Sequence, residues 1–171
     1  MTGAIIVGVT GGTAEVKALC KLIVMRHAQT GSDGRLTFAG IERVEAMARE
    51  LEGEVVGPVR FVCSPLARAK HTAEVLALRL RPVEIGFHDA LASGMGADRA
   101  HQADVAAIHE VVTSSFGGAE SLVVVTHLEV CRDYPSYYVS AELGLSEQLP
   151  SLGRAEALVI DCEDGSWRHF D

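Results

Sequence analysis

Positive charge and aromatic rings are both scarce in this sequence. Its 171 residues carry 15 Lys and Arg against 23 Asp and Glu, a formal net charge of −8, and only 5% are Phe, Trp or Tyr. A chain so acidic is not built to hold nucleic acid or an anionic membrane surface, and it has few rings on which bases would stack. Any anion site must be a local positive focus. No C-x-x-C pair occurs. Cys20, Cys63, Cys131 and Cys162 are widely spaced and read as reduced, mostly buried thiols rather than a disulfide framework or a zinc site. His88, His101, His109 and His169 show no metal-ligand spacing, so neither a metal nor another cofactor is expected. No apolar run is long enough to span a membrane, and Met1–Val9 lacks the basic start of a secretory leader. The cytoplasm is the expected compartment. Gly8-Val9-Thr10-Gly11-Gly12 is not followed by Gly-Lys-Ser/Thr, so it is not read as a nucleotide phosphate loop.

Apolar residues, at 48%, are plentiful enough for one domain with a sizeable core. Residues 1–20 read as an extra edge element, strand-like over Ala4–Val9, or as a dimer contact. Leu22–Met25 followed by Arg26-His27 reads as a buried parallel strand that surfaces at its carboxyl end. Thr37 as N-cap, then Ile41, Val44, Ala48 and Leu51 at helical spacing, predict a helix closed by Gly53. Val55–Val62 predicts a second strand, its first half broken by Gly57-Pro58. Ser64 before Pro65 has the form of an N-cap with proline at the first helical position, predicting a helix to about Arg81. Pro82–Phe87 follows as a strand, and an alanine-rich helix ends near Ser115. Leu122–Thr126 is a second strongly buried strand, with His127 at its exit. Pro135 argues against an uninterrupted helix from 129 and predicts one near 135–144 capped by Asp133. Ala155–Asp161 is a last long strand, turned by Gly165 into an antiparallel edge at Trp167–Phe170. This alternation predicts an α/β fold with a mostly parallel sheet.

In open α/β sheets, ligands sit outside the carboxyl ends of the strands. Three separate segments deliver polar groups there: Arg26-His27, Ser64 to Arg68, and His127. An imidazole beside a guanidinium suits an anionic substrate, which the Arg holds and the neutral His attacks. A phosphoryl group in transfer spreads negative charge over its oxygens, so fixed positive charge supplies most of the catalysis. Arg68, in the first turn of a helix, adds that turn's N–H groups and dipole. Leu22–Thr30, Asp33–Gly40, Ser64–Ala73, Val123–His127 and the strand-turn-strand 155–169 together resemble the histidine phosphatase superfamily, also called phosphoglycerate mutase-like. Within it the sequence is most similar to the short SixA-type phosphohistidine phosphatases. The resemblance covers residues 22–170. It implies a single domain over 1–171, a three-layer α/β/α sandwich in which 1–20 is an extension.

The resemblance implies that His27 is the nucleophile, that Arg26 and Arg68 clamp the phosphoryl oxygens, and that His127 is the second histidine of the pocket. A protonated His127 would help both arginines offset a dianion. Ser64, Thr30 and Gln29 are candidate substrate contacts. Ala28 stands where many relatives have glycine. The general acid that many relatives carry after the strand corresponding to 82–87 is missing, since Ala92 or Ser93 aligns there. Asp89 and Glu129 are the candidate proton donors, although a carboxylate at Glu129 would also oppose a dianion. The expected function is a metal-independent phosphatase acting on a phosphomonoester or a protein phosphohistidine through phosphorylated His27. Alternatives are a catalytically weak or inactive phosphate-binding module, and a phosphoglycerate mutase-type phosphotransferase, disfavoured by the lack of long insertions. Expected partners are a phosphorylated small molecule or phosphohistidine protein, with no nucleic acid or membrane, and a second copy through residues 1–20.

Overall fold

The computed structural model describes residues 20–92 and 103–171. The readings of the N-terminal strand, of the dimer contact and of Ser93 fall on residues outside that set. The described elements alternate as expected: β1 (Lys21–Arg26), α1 (Phe38–Leu51), β2 (Val59–Cys63), α2 (Ala67–Leu80), β3 (Glu84–Phe87), a 3-10 turn (Asp89–Leu91), α3 (Val105–Ser115), β4 (Ser121–Thr126), α4 (Leu128–Leu143), β5 (Ala157–Asp161) and β6 (Trp167–Phe170).

One mixed sheet has the order β3-β2-β4-β1-β5-β6. β3, β2, β4 and β1 are parallel, β5 is antiparallel to β1, and β6 is antiparallel to β5. Antiparallel pairing, expected only at the last edge, begins one strand earlier, at β5. Side chains alternate across the central strands. Ile23, Met25, Phe61, Val123 and Val125 pack with Val44, Met47, Leu51 and Leu76 of α1 and α2. Leu22, Val24, Val62, Leu122 and Val124 pack with Ile108, Val112, Tyr134 and Val139 of α3 and α4. The result is the three-layer sandwich. Every residue of β4 is buried, and each such Val or Leu contributes about 1.5–3 kcal/mol relative to exposure.

Local details both match and correct the sequence reading. Thr37 caps α1, its hydroxyl accepting the Gly40 N–H at 3.0 Å. Ser64 does not cap α2, which starts at Ala67 after Leu66. Its hydroxyl instead accepts the Leu66 N–H at 3.2 Å, shaping the turn before the helix. Helix α4 runs through Pro135 rather than starting after it. The proline gives up one helical hydrogen bond, a loss of roughly 3 kcal/mol. Burial of Cys131, Tyr134, Tyr138 and Val139 on the same helix offsets it.

The cysteines need the largest correction. Cys63 and Cys131 are free and buried, and burial pushes the Cys63 thiol up to about 12. Cys20 and Cys162, however, form a disulfide with Cα atoms 5.3 Å apart. The antiparallel register that pairs Lys21 with Asp161 sets the next residues opposite one another. The Cys162 N–H accordingly donates to the Cys20 carbonyl at 2.9 Å.

Candidate active site

The carboxyl ends of β1, β2 and β4 are stitched together by backbone. The His27 N–H donates to the Thr126 carbonyl at 2.9 Å and the Ser64 N–H to that of Val125 at 3.0 Å. Fully buried Thr72 ties two of the segments, its hydroxyl accepting the Ala28 N–H at 3.2 Å and donating to the Arg68 carbonyl at 2.8 Å. Above this edge lies a cavity of about 340 Å³ lined by Arg26, His27, Thr30, Arg68, His127, Leu128, Glu129 and Arg154.

The hydrogen bonds fix the tautomers of both rings. His27 Nδ1 lies 2.9 Å from the Ala28 carbonyl oxygen, which only accepts, so Nδ1 carries the proton and Nε2 the lone pair. Arg68 Nε donates to His127 Nδ1 at 3.1 Å. His127 Nε2 therefore carries the proton and donates to the Ser64 hydroxyl at 2.7 Å. The two ring centroids are 5.1 Å apart.

Both histidines are held neutral. Burial, then Arg68, Arg26 and Arg154, lower His27 to about 4 against a smaller opposing effect of its bond to Ala28. Burial, then Arg68, His27 and Arg26, lower His127 to about 3. The expected imidazolium at residue 127 is thus corrected, because the ring is buried and its Nδ1 accepts from a guanidinium. The positive charge of the cavity comes from arginines. Arg26 donates from Nη1 to the Leu152 carbonyl at 3.3 Å, while its buried Nε has no hydrogen-bond partner among the described residues.

The other candidates divide. Thr30 and Glu129 line the cavity, Glu129 from the first turn of α4. Ser64 does not; it is fully buried behind His127. Gln29 is exposed and outside the lining, and its carbonyl anchors the Thr37 N–H at 3.0 Å. Asp89 is exposed in the 3-10 turn and also outside it. Arg154 was missed. The signal was the direction of β5: an antiparallel strand brings its beginning, not its end, to this edge. Among the described residues no group of three or more His, Cys, Asp or Glu has the arrangement to hold a metal ion.

Residues 22–93 match the family model of the histidine phosphatase superfamily (branch 1). The matched segment is under half of the chain. It contains Arg26, His27, Ser64 and Arg68, whereas His127 and Arg154 lie beyond it. Solved structures extend the likeness to most of the chain. A SixA protein from Nakamurella multipartitia superposes with a TM-score of 0.67 at 22% identity, over 84% of either chain. The protein histidine phosphatase SixA complexed with tungstate gives 0.65 at 23%, over 86% of this chain and 94% of that one. A mycobacterial glucosyl-3-phosphoglycerate phosphatase in complex with VO3 gives 0.62 at 20%, over 88% and 97%. Likeness at this identity establishes the phosphoglycerate mutase-like fold. No curated protein matches the sequence.

Proposed function

We propose that the chain is a phosphatase that works through a covalent phosphohistidine on His27, independent of a metal, and acts on protein phosphohistidine or a phosphomonoester. The observation that carries this reading is the 2.9 Å approach of His27 Nδ1 to the Ala28 carbonyl oxygen. With Nδ1–H given to the Ala28 carbonyl, Nε2 keeps its lone pair, on a ring that lines a cavity with Arg26 and Arg68. Attack by Nε2 forms an N–P bond as the bond from phosphorus to the leaving atom breaks, and the leaving atom takes the electron pair. Arg26 and Arg68 hold the equatorial oxygens. Water then attacks the phosphohistidine, the N–P bond breaks with its pair returning to Nε2, and inorganic phosphate leaves. His127, fixed by Arg68 and Ser64, holds the Arg68 fork in place.

A leaving alkoxide requires a proton, and Glu129 is the carboxyl group on the cavity wall. Phosphohistidine and aryl phosphates leave with little such help. The fold shared with the protein histidine phosphatase SixA favours phosphohistidine among these. Glu129 also motivates a second reading, a phosphate-binding module without turnover. Among the described residues no helix is long and apolar enough to cross a membrane. The cytoplasm belongs to the proposal.

The test is turnover of p-nitrophenyl phosphate in the presence of chelator, with rapid-quench labelling by a ³²P-phosphoryl donor. The expected result is activity and an acid-labile phosphoenzyme, both lost in His27→Ala. Unchanged turnover in that variant ends the reading. Phosphate binding without a labelled enzyme selects the binding module.

A further inference from the structure

We propose that Arg154 is a third anion-binding residue of the cavity, its guanidinium meeting the oxygens of a phosphoryl group held at His27. The inference rests on the reading of the cavity as a phosphoryl site, and begins with charge. Both histidines are held neutral before an anion binds, first by burial and then by the neighbouring arginines, with His127 Nδ1 accepting from Arg68 Nε. The cavity charge that does not depend on pH comes from guanidiniums. Arg26 and Arg68 supply two positive charges, and the Glu129 carboxylate on the same wall subtracts one. That leaves a single positive charge against the two negative ones of a dianion. Arg154 restores the match.

Its backbone is built for that placement. The Ala155 N–H donates to the carbonyls of both Arg26 and His27, at 3.2 and 3.4 Å. Ala155 is buried and sits in the left-handed region at φ +60°, where a residue with a Cβ is strained. The preceding Gly153 N–H is held by the Glu156 carboxylate at 2.7 Å. The turn is therefore pinned on either side of Arg154 and fastened to the nucleophile's own strand. The side chain itself is exposed, so it is free to reorient from the rim onto a bound anion. It already acts on the nucleophile, as one of the charges that lower the His27 pKa.

The experiment measures inorganic phosphate binding by calorimetry, and KM and kcat for p-nitrophenyl phosphate, in wild type, Arg154→Ala and Arg154→Lys. The expected result for Arg154→Ala is a rise of about tenfold in both the phosphate Kd and KM, with kcat changed far less. Arg154→Lys recovers part of that loss. The thermal midpoint stays put in both variants, because an exposed side chain is altered. A merely structural role would not produce rescue by lysine or a KM-selective defect. Unchanged phosphate affinity in Arg154→Ala overturns the proposal, as does a lysine variant no better than alanine or a wild type that binds no phosphate. Phosphate binding that depends on Arg154, in a protein that turns over no substrate, keeps the proposal and removes the phosphatase reading instead.

Discussion

Lowering the pH from 7 to 5 should weaken the fold through two histidines. His27 and His127 are 8% and 2% exposed and are held at about 4 and about 3. In the unfolded chain both titrate near the ordinary value of about 6.5. At pH 5 the unfolded state has therefore bound a proton at each ring and the folded state at neither. The population ratio is about thirtyfold per ring, or about 2 kcal/mol each and about 4 kcal/mol together. The figure depends little on how far below 5 the folded values lie. The sign follows from proton counting. Between the folded and unfolded values the unfolded state binds more protons, so stability rises with pH. The loss starts as pH falls below about 6.5, is complete at the folded values, and is absent above neutrality. Urea unfolding at pH 7, 6 and 5, followed by the fluorescence of Trp167, measures it. His27→Asn and His127→Asn should each remove about 2 kcal/mol of the pH-dependent loss, whatever their effect at pH 7. A wild type that loses less than about 1 kcal/mol, or variants with an undiminished loss, would refute the reasoning.

Arg68→Ala removes both a guanidinium from the cavity and the donor to His127 Nδ1; kcat/KM for an aryl phosphate should fall about 100-fold or more, and the His127 ring should titrate at higher pH by NMR. Thr72→Val strands the buried Ala28 N–H and frees the Arg68 carbonyl. About 1–3 kcal/mol of stability should be lost in urea melts, with activity falling as well because both site segments loosen. The Cys20–Cys162 bridge closes a separation of 142 residues, for which the chain-entropy relation gives up to about 5 kcal/mol. Denaturation midpoints with and without reductant should differ accordingly, and Cys162→Ser should abolish the difference.

The layer architecture was legible because burial wrote it directly into the chain. Leu22–Met25 and Leu122–Val125 are continuous apolar runs because both faces of β1 and β4 are covered by helices. The convergence of Arg26, His27, Arg68 and His127 was legible for the same reason, since parallel strands deliver their ends to one edge. Where sequence reasoning failed, a long-range contact overrode a local signal. Pro135 is a helix breaker by itself, but Val130, Tyr134, Tyr138 and Val139 around it are buried on the same helix. Ser64 has the local form of a cap, yet its hydroxyl is shared between the Leu66 N–H and His127. The disulfide depends on strand direction, which neither Cys20 nor Cys162 carries in its surroundings. Proton positions were out of reach too, because they follow from partners far along the chain.

Strand direction and histidine charge turn out to bear on one another. Were β5 parallel to β1, its start would lie at the far edge of the sheet, about 16 Å from His27 for five residues of strand. Because it is antiparallel, the turn before it meets the Arg26 and His27 carbonyls, and Arg154 joins the cavity wall. The site can then do without a protonated histidine, since its cations are guanidiniums, which stay charged throughout the accessible pH range. In the proposed mechanism the low-pH limit of catalysis is protonation of His27, which burial and the neighbouring arginines lower to about 4. After correction for ionisation of the substrate phosphate, kcat/KM should hold its plateau down through pH 5 and fall only as pH approaches 4. An acid limb near 6.5 would mean that the attacking group is a water-exposed imidazole, not the buried ring whose Nδ1–H is given to Ala28.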